Sequence, residues 1–175
     1  TLNGVIIDVS ASSTISAVDL NSAGACTLVL AAGSINNFKA GQDRPGIYVP
    51  KDNKVTFAGT GSLTATGGQY WPGIGRNGQG NIEIQSGTIS CFGGYNASAI
   101  GGSWGYDGGI VLITGGSVTA IGGSYGAGIG GGAEGREGNI TITGGTIKAV
   151  GGNSAFGVGT GRNAAYGTSG ALVFA

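Results

Sequence analysis

The chain has 175 residues, of which 41 are glycine and 3 are proline, and its eight basic and eight acidic residues leave it without net charge. Glycine and proline at this level are typical of low-complexity disorder, but a chain that is 40% hydrophobic and only 9% charged has the opposite of a disordered composition. No run of Lys or Arg indicates nucleic-acid binding, and no apolar run approaches the roughly 18 residues of a membrane-inserted helix.

Residues 1–58 contain short apolar segments separated by turns with little glycine. The segments "CTLVL" (26–30), "SINNF" (34–38), "PGIYV" (45–49) and "KVTF" (54–57) each have the length of a short strand. They follow one another in the order that the glycine-rich part repeats, so we expect them to form less regular coils of the same structure. In "SINNF" we expect Ser34 and Asn36 to point outward.

Residues 59–175 repeat a unit of 26 to 29 residues. Glycine doublets begin at Gly67, Gly93, Gly122 and Gly151, each after a strand-like segment such as "SVTAI". An Ile or Val follows each doublet at a constant distance, and a third strand-like segment such as "NITI" comes next. Self-similarity at this period is the mark of a solenoid. The sequence therefore predicts a single all-β domain over 1–175, a parallel β-helix of five to six coils with three short strands per coil, right-handed as parallel crossovers almost always are.

Alternation within the strands predicts two aliphatic walls inside the solenoid. Cys26 and Cys91 fall on inward positions of different walls, about two coils apart. At about 4.8 Å per coil this is roughly 10 Å, beyond the Cα separation of about 7 Å that a disulfide tolerates, so we expect two buried free thiols. The predicted walls are Leu63, Ala65, Ile89, Cys91, Val118, Ala120, Ile147 and Ala149, and Ile82, Ile84, Val111, Ile113, Ile140 and Ile142.

The stretch "GAGIGGG…GNITITGGTIKAVGG" resembles the glycine-rich repeats of large cell-surface proteins from clostridia-like and other gut bacteria. The resemblance covers 59–175 well and 26–58 loosely. It implies a pectate-lyase-like right-handed β-helix, and several members of the family are described as carbohydrate-binding. A start at Thr1, few charges and the lack of His and Met also favour a secreted protein that works in adhesion at the cell surface.

Aromatic residues concentrate in the loops of the predicted corners, where polar residues are the rule. Because the C–H faces of sugar rings stack on aromatic rings, these loops favour a module that binds a polysaccharide or cell-wall glycan, with Trp71 and Trp104 as the principal stacking residues. Gln69, Asn96, Arg162 and Asn163 are further polar neighbours for sugar hydroxyls. The predicted carbohydrate-binding residues are Tyr70, Trp71, Arg76, Asn77, Tyr95, Trp104, Tyr106 and Tyr125.

Catalysis is not expected, although polysaccharide lyases occur on similar folds. The acids of the repeat lie scattered in glycine loops, with Asp107 level with Arg136 as a surface ion pair, and no His or convergent acid pair is present. The segment "GGSWGYD" (101–107) departs by one residue from the calcium-binding Gly-Gly-x-Gly-x-Asp repeat. We therefore predict no enzymatic activity, no metal and no cofactor.

Self-assembly is the main alternative to sugar binding. The chain ends on the apolar strand-like segment "ALVFA", and exposed strand edges invite another chain. End-to-end stacking would make an extracellular filament of homo-oligomers. The candidate interface residues are Ile110, Leu112, Leu172, Val173 and Phe174. A lesser alternative is ice binding by two outward columns of hydroxyl residues, predicted as Ser34, Asn36, Ser62, Thr64, Thr88, Ser90, Ser117, Thr119, Thr146 and Lys148.

Overall fold

A computed structural model describes residues 1–77, 80–164 and 171–175, with the side chain of Leu172 excluded. These residues form eighteen β-strands in three parallel six-stranded sheets. None of them lies in a helix, so no apolar helix long enough to cross a membrane is found in this part of the chain.

Each sheet contains every third strand of the chain. The first sheet consists of β1 (Ile6–Asp8), β4 (Ile35–Lys39), β7 (Ser62–Thr66), β10 (Thr88–Phe92), β13 (Ser117–Ile121) and β16 (Thr146–Val150). The second consists of β2 (Val18–Asp19), β5 (Ile47–Tyr48), β8 (Ile74–Arg76), β11 (Ile100–Gly102), β14 (Ile129–Gly130) and β17 (Val158–Gly159). The third consists of β3 (Ala25–Leu30), β6 (Lys54–Gly59), β9 (Asn81–Ile84), β12 (Ile110–Ile113), β15 (Asn139–Ile142) and β18 (Leu172–Phe174).

Three consecutive strands, one from each sheet, make one coil, and six coils stack along the solenoid axis. The prediction of a parallel β-solenoid with three strands per coil is therefore confirmed. Coils three to six repeat with the predicted period, and β1 and β2 add a first coil that the glycine pattern does not mark. The right-handed sense of the winding stays a prediction.

The core is a set of apolar columns that run from coil to coil. In the second sheet, Ile74, Ile100 and Ile129 are in register and fully buried. Burial of one such side chain stabilises the fold by roughly 1.5–3 kcal/mol, so each column holds neighbouring coils in register. Both predicted aliphatic walls are present, with Ile147 and Ala149 of the last coil only partly buried.

The predicted outward position of Ser34 and Asn36 is wrong. Asn36 is 1% exposed and points inward, whereas Ile35 lies outside, in register with Ser62. Asn36 is accommodated because its amide is fully used: Oδ1 accepts a hydrogen bond from the Val5 N–H at 2.9 Å, and Nδ2 donates to Ser34 Oγ at 3.0 Å and to the Ser62 carbonyl at 2.9 Å. The hydroxyl columns of the first sheet therefore begin at coil three.

The two cysteines are free thiols on different sheets, as predicted. Cys91 is fully buried, and this burial raises the pKa of its thiol well above the ordinary value. The predicted burial of Cys26 is wrong, since that residue is only partly covered. Its strand, β3, is the edge strand of the third sheet, so a neighbouring strand covers it on one side only.

Candidate functional site

Tight turns lie on either side of the short strand of the second sheet in the coils of β11 and β14. In the coil of β11, the first turn spans 94–97 and is closed by the Ala97 N–H donating to the Gly94 carbonyl at 3.0 Å. The second turn spans 103–106 and is closed by the Tyr106 N–H donating to the Ser103 carbonyl at 3.0 Å. Equivalent bonds close first turns at 68–71, 123–126 and 152–155 and second turns at 50–53 and 132–135.

Glycine follows the inward Ile or Val of the second sheet in coils three to six. Gly75, Gly101, Gly130 and Gly159 follow one another in register, with φ values of +136°, +128°, +130° and +140°. A Cβ on Gly101 would lie 2.3 Å from the carbonyl oxygen of Gly130. At Gly101 both the conformation and the space therefore exclude a side chain, whereas Tyr48 occupies the equivalent position in the second coil.

Hydrogen bonds join the first turn of one coil to the second turn of the next coil. The N–H groups of Trp104, Ala133 and Arg162 donate to the carbonyls of Tyr70, Asn96 and Tyr125, at 3.3, 2.8 and 2.9 Å respectively. The two predicted corners therefore form one surface, built from three equivalent pairs of residues.

The outer two pairs are large and the middle pair is small. The rings of Tyr70 and Trp104 lie 5.9 Å apart between centroids, and the guanidinium of Arg162 lies over the Tyr125 ring at 4.4 Å from its centroid. Between them the pair of Asn96 and Ala133 leaves a depression of about 260 Å³, which we name the aromatic depression. It is lined by Tyr95, Asn96, Trp104, Tyr125, Ala133, Glu134, Arg162 and Asn163.

Two further depressions continue this surface toward the first coils. The central depression, of about 210 Å³, shares Trp104 with the aromatic depression and is lined by Tyr70, Trp71, Asn77, Ser103, Trp104 and Tyr106. The charged depression, of about 280 Å³, shares Asn77 and Tyr106 with the central one and is lined by Lys51, Arg76, Asn77 and Tyr106. We call the three together the trough.

All eight predicted carbohydrate-binding residues line the trough, and Trp104 remains 51% exposed at its centre. Sequence reasoning missed Lys51, Ser103 and Glu134. Alignment of the second turns would have indicated Lys51 and Glu134. Lys51 occupies the same position of its turn as Trp104. Glu134 occupies the following position, as Asp52 does, and both residues have a positive φ, +67° and +66° respectively.

The phenols of the aromatic depression interact with each other. The Tyr95 hydroxyl donates to the Tyr125 hydroxyl at 3.3 Å, and the rings meet edge to face at 5.1 Å. This hydrogen bond raises the pKa of Tyr95 and lowers the pKa of Tyr125, which Arg162 lowers further. Both groups ordinarily titrate near pH 10, so near neutral pH the depression presents two neutral hydroxyls beside one guanidinium.

No protein-family model, no curated protein and no solved structure matches this chain. Of the resemblance to glycine-rich bacterial surface proteins, only the coarser part is confirmed, namely a parallel β-solenoid with three strands per coil. The function of the trough therefore has to be inferred from its own chemistry.

The acids of the chain do not converge on the trough. Within residues 1–77, 80–164 and 171–175, no group of three or more His, Cys, Asp or Glu could hold a metal ion, and Glu134 is the one acid that lines a depression. Asp107 and Arg136 meet across coils through a 2.9 Å hydrogen bond from the Arg136 backbone N–H to the carboxylate, and the ion pair between their side chains stays a prediction. Absence of catalysis stays a prediction.

The candidate assembly residues lie on two separate surfaces. Ile110 and Leu112 are on the outer face of the third sheet, where Thr141 separates Leu112 from Val173 in register. Phe174 occupies the inward position below Ile142 and is 61% exposed, because the described residues place no coil beyond it. The side chain of Leu172 lies outside the described part of the chain.

Proposed function

We propose that this chain is a non-enzymatic, extracellular module of the bacterial surface that binds a polysaccharide along the trough. The observation that supports the proposal is the continuity of exposed rings and amide or guanidinium groups across three adjoining depressions. Aromatic faces pack against the apolar C–H faces of sugars, while side chains such as Asn77, Asn96 and Arg162 offer hydrogen bonds to hydroxyls.

The extent of the trough favours a polymer over a single sugar. Its lining begins with Lys51, after β5, and ends with Asn163, after β17, which is four coil steps or about 19 Å along the solenoid axis. The depressions are open to solvent on the outer side of the turns. A glycan chain can therefore lie along the axis with several sugar units bound, without its ends being enclosed.

Replacement of Trp104 by Ala tests this function directly. Trp104 lines both the aromatic and the central depression, so the variant is expected to lose at least about tenfold in affinity, as for the loss of a central aromatic anchor. The measurement is retention by a polysaccharide array, followed by affinity electrophoresis on the glycans retained.

Phe156→Ala is the matched control, because Phe156 is an exposed ring of the last coil that lines none of the three depressions. It is expected to bind as the unaltered chain does. Equal retention of the unaltered chain and Trp104→Ala, or no retention of any polysaccharide by the unaltered chain, would rule out the proposal.

A second candidate function, end-to-end stacking into a filament, is favoured by the exposure of Phe174. The residues above it in the same inward column, Ile113 and Ile142, are buried, and the third sheet ends on β18 with an unpaired edge in the part of the chain described. A further coil from a second copy would cover this ring and pair this edge.

Light scattering and electron microscopy test the stacking. Six coils span about 29 Å, so longer particles are expected for the unaltered chain, and the substitution Phe174→Lys is expected to shorten them by placing a charge in the contact. Ser90→Lys adds the same charge on the outer face of the first sheet, in a strand that is paired on both sides, and serves as the control. A monomer at high concentration would exclude the assembly.

A further inference from the structure

The charged depression differs from the other two in offering almost only hydrogen-bond donors. Its lining residues are Lys51, Arg76, Asn77 and Tyr106, and none of the described residues that line it is acidic. Asn77 Oδ1 already accepts a hydrogen bond from Ser103 Oγ at 2.7 Å, which leaves the amide Nδ2 as the free group of that side chain. A ligand that complements this depression must therefore supply acceptors.

Arg76 carries the most specific signal. Its guanidinium lies over the Tyr48 ring at 4.9 Å from the centroid, which fixes its plane. Its Nε is buried and has no hydrogen-bond partner among the residues described. A buried donor without a partner is costly, and a ligand oxygen that reaches this edge of the guanidinium would satisfy it.

Lys51 adds a second cation, although Asp52, which does not line the depression, follows it in the same turn. The residue is exposed at the tip of the turn 50–53, and its ammonium group makes no ion pair with the described acids. By contrast, the aromatic depression contains both Arg162 and Glu134, so its charges offset each other. Positive charge is therefore concentrated at one end of the trough.

We propose that the glycan bound in the trough is acidic, and that the charged depression takes the carboxylate of a uronic acid residue. This rests on the proposed function and specifies its substrate class. The planar guanidinium of Arg76 matches a carboxylate in a two-bond arrangement, Lys51 adds a point charge, and the neighbouring sugar stacks in the central depression on Trp104.

Uronate-containing polysaccharides test the proposal when each is presented in two forms, as the free acid and as the methyl ester of the same polymer. The esters keep the sugar backbone and remove the charge. The unaltered chain is expected to bind the acid form about tenfold more tightly, and added NaCl is expected to reduce this preference. Equal binding of both forms would overturn the proposal.

Lys51→Gln and Arg76→Gln are expected to lower affinity for the acid forms about tenfold each and to leave the ester forms unchanged. Lys148→Gln removes the same charge from the outer face of the first sheet and is expected to change neither. If Arg76→Gln disturbs β8, Lys51→Gln still tests the carboxylate site, because Lys51 lies in an exposed turn.

The two proposals fail in distinguishable ways. One outcome is that the unaltered chain binds the acid and the ester equally and that Trp104→Ala binds neither. This result would support sugar binding and refute the carboxylate site. Binding of neither form of any polysaccharide would refute both. Dextran sulfate that competes as strongly as the free-acid polymers would identify general attraction of polyanions and refute the carboxylate assignment.

Discussion

Glycine at position 101 lets the backbones of adjacent coils approach each other closely in the second sheet. Gly101 has φ of +128°, and the carbonyl oxygens of Gly130 and Gly108 lie 2.3 and 3.0 Å from the place of a Cβ. A side chain at position 101 would therefore clash with the backbone of the next coil and with that of its own coil. The sequence shows a glycine at this position, but only the register reveals that it makes room for the neighbouring backbone.

Gly101→Ala is expected to reduce the free energy of unfolding by more than about 3 kcal/mol, since strain at an unfavourable φ adds to a clash with backbone atoms. Gly105→Ala is the control, because its φ of +77° is also positive but a Cβ there meets nothing within 4 Å. That variant should lose only about 1–2 kcal/mol, the cost of the left-handed conformation. Urea unfolding measures the free energy of both variants. Equal losses would show that the close approach of the neighbouring backbone to Gly101 contributes nothing to the effect.

The regular strands of coils three to six could be predicted because the glycine doublets fix where each strand ends and alternation fixes its inward face. The strand β4 shows where such reasoning fails. "SINNF" offers Ile35 as an apolar residue for the core, yet Asn36 takes the inward position because Val5, Ser34 and Ser62 supply its hydrogen bonds. Val5 and Ser62 lie in the neighbouring coils, so local alternation carries no information about them.

The candidate site was predictable in its residues but not in its arrangement. The rings of the turns stand out in the sequence, whereas the pairing of Tyr70 with Trp104 and of Tyr125 with Arg162 depends on backbone bonds between successive coils. The aromatic depression exists because the intervening pair, Asn96 and Ala133, is small. A gap of this kind becomes visible only when the turns of adjacent coils are aligned.

Across the six coils, each coil contacts mainly its neighbours, so the stability of the solenoid is approximately a sum of coil and interface contributions. The stacked sheets hold the turns at a fixed spacing before any ligand arrives. A trough that is formed in advance avoids the cost of ordering loops on binding, which favours affinity for an extended polymer. The interfaces between coils are mostly apolar, so the contribution of an ionic contact between two coils can be measured with a single substitution.

Glu83 makes such a contact and gives the solenoid a defined response to acid. Its carboxylate accepts hydrogen bonds from Lys54 Nζ at 2.5 Å and from Thr56 Oγ1 at 3.3 Å, both in the preceding coil, and from Gln85 Nε2 at 2.9 Å. The hydrogen bond from Lys54, followed by that from Gln85, lowers the pKa of Glu83 in the folded chain. Because the folded-state pKa lies below the unfolded one, the stabilisation is present above the ordinary Glu pKa of about 4.3 and is lost as the pH falls through the folded value.

Glu83→Gln is therefore expected to cost up to about 1 kcal/mol of unfolding free energy at pH 7, and the difference from the unaltered chain is expected to shrink steadily below about pH 4.3. Urea unfolding at a series of pH values measures it. Asp43→Asn is the control, since Asp43 is exposed and its side chain makes no hydrogen bond or ion pair with the described residues. If the difference in unfolding free energy between Glu83→Gln and the unaltered chain stays constant down to pH 3, packing of the Glu83 side chain, and not its charge, accounts for the stabilisation.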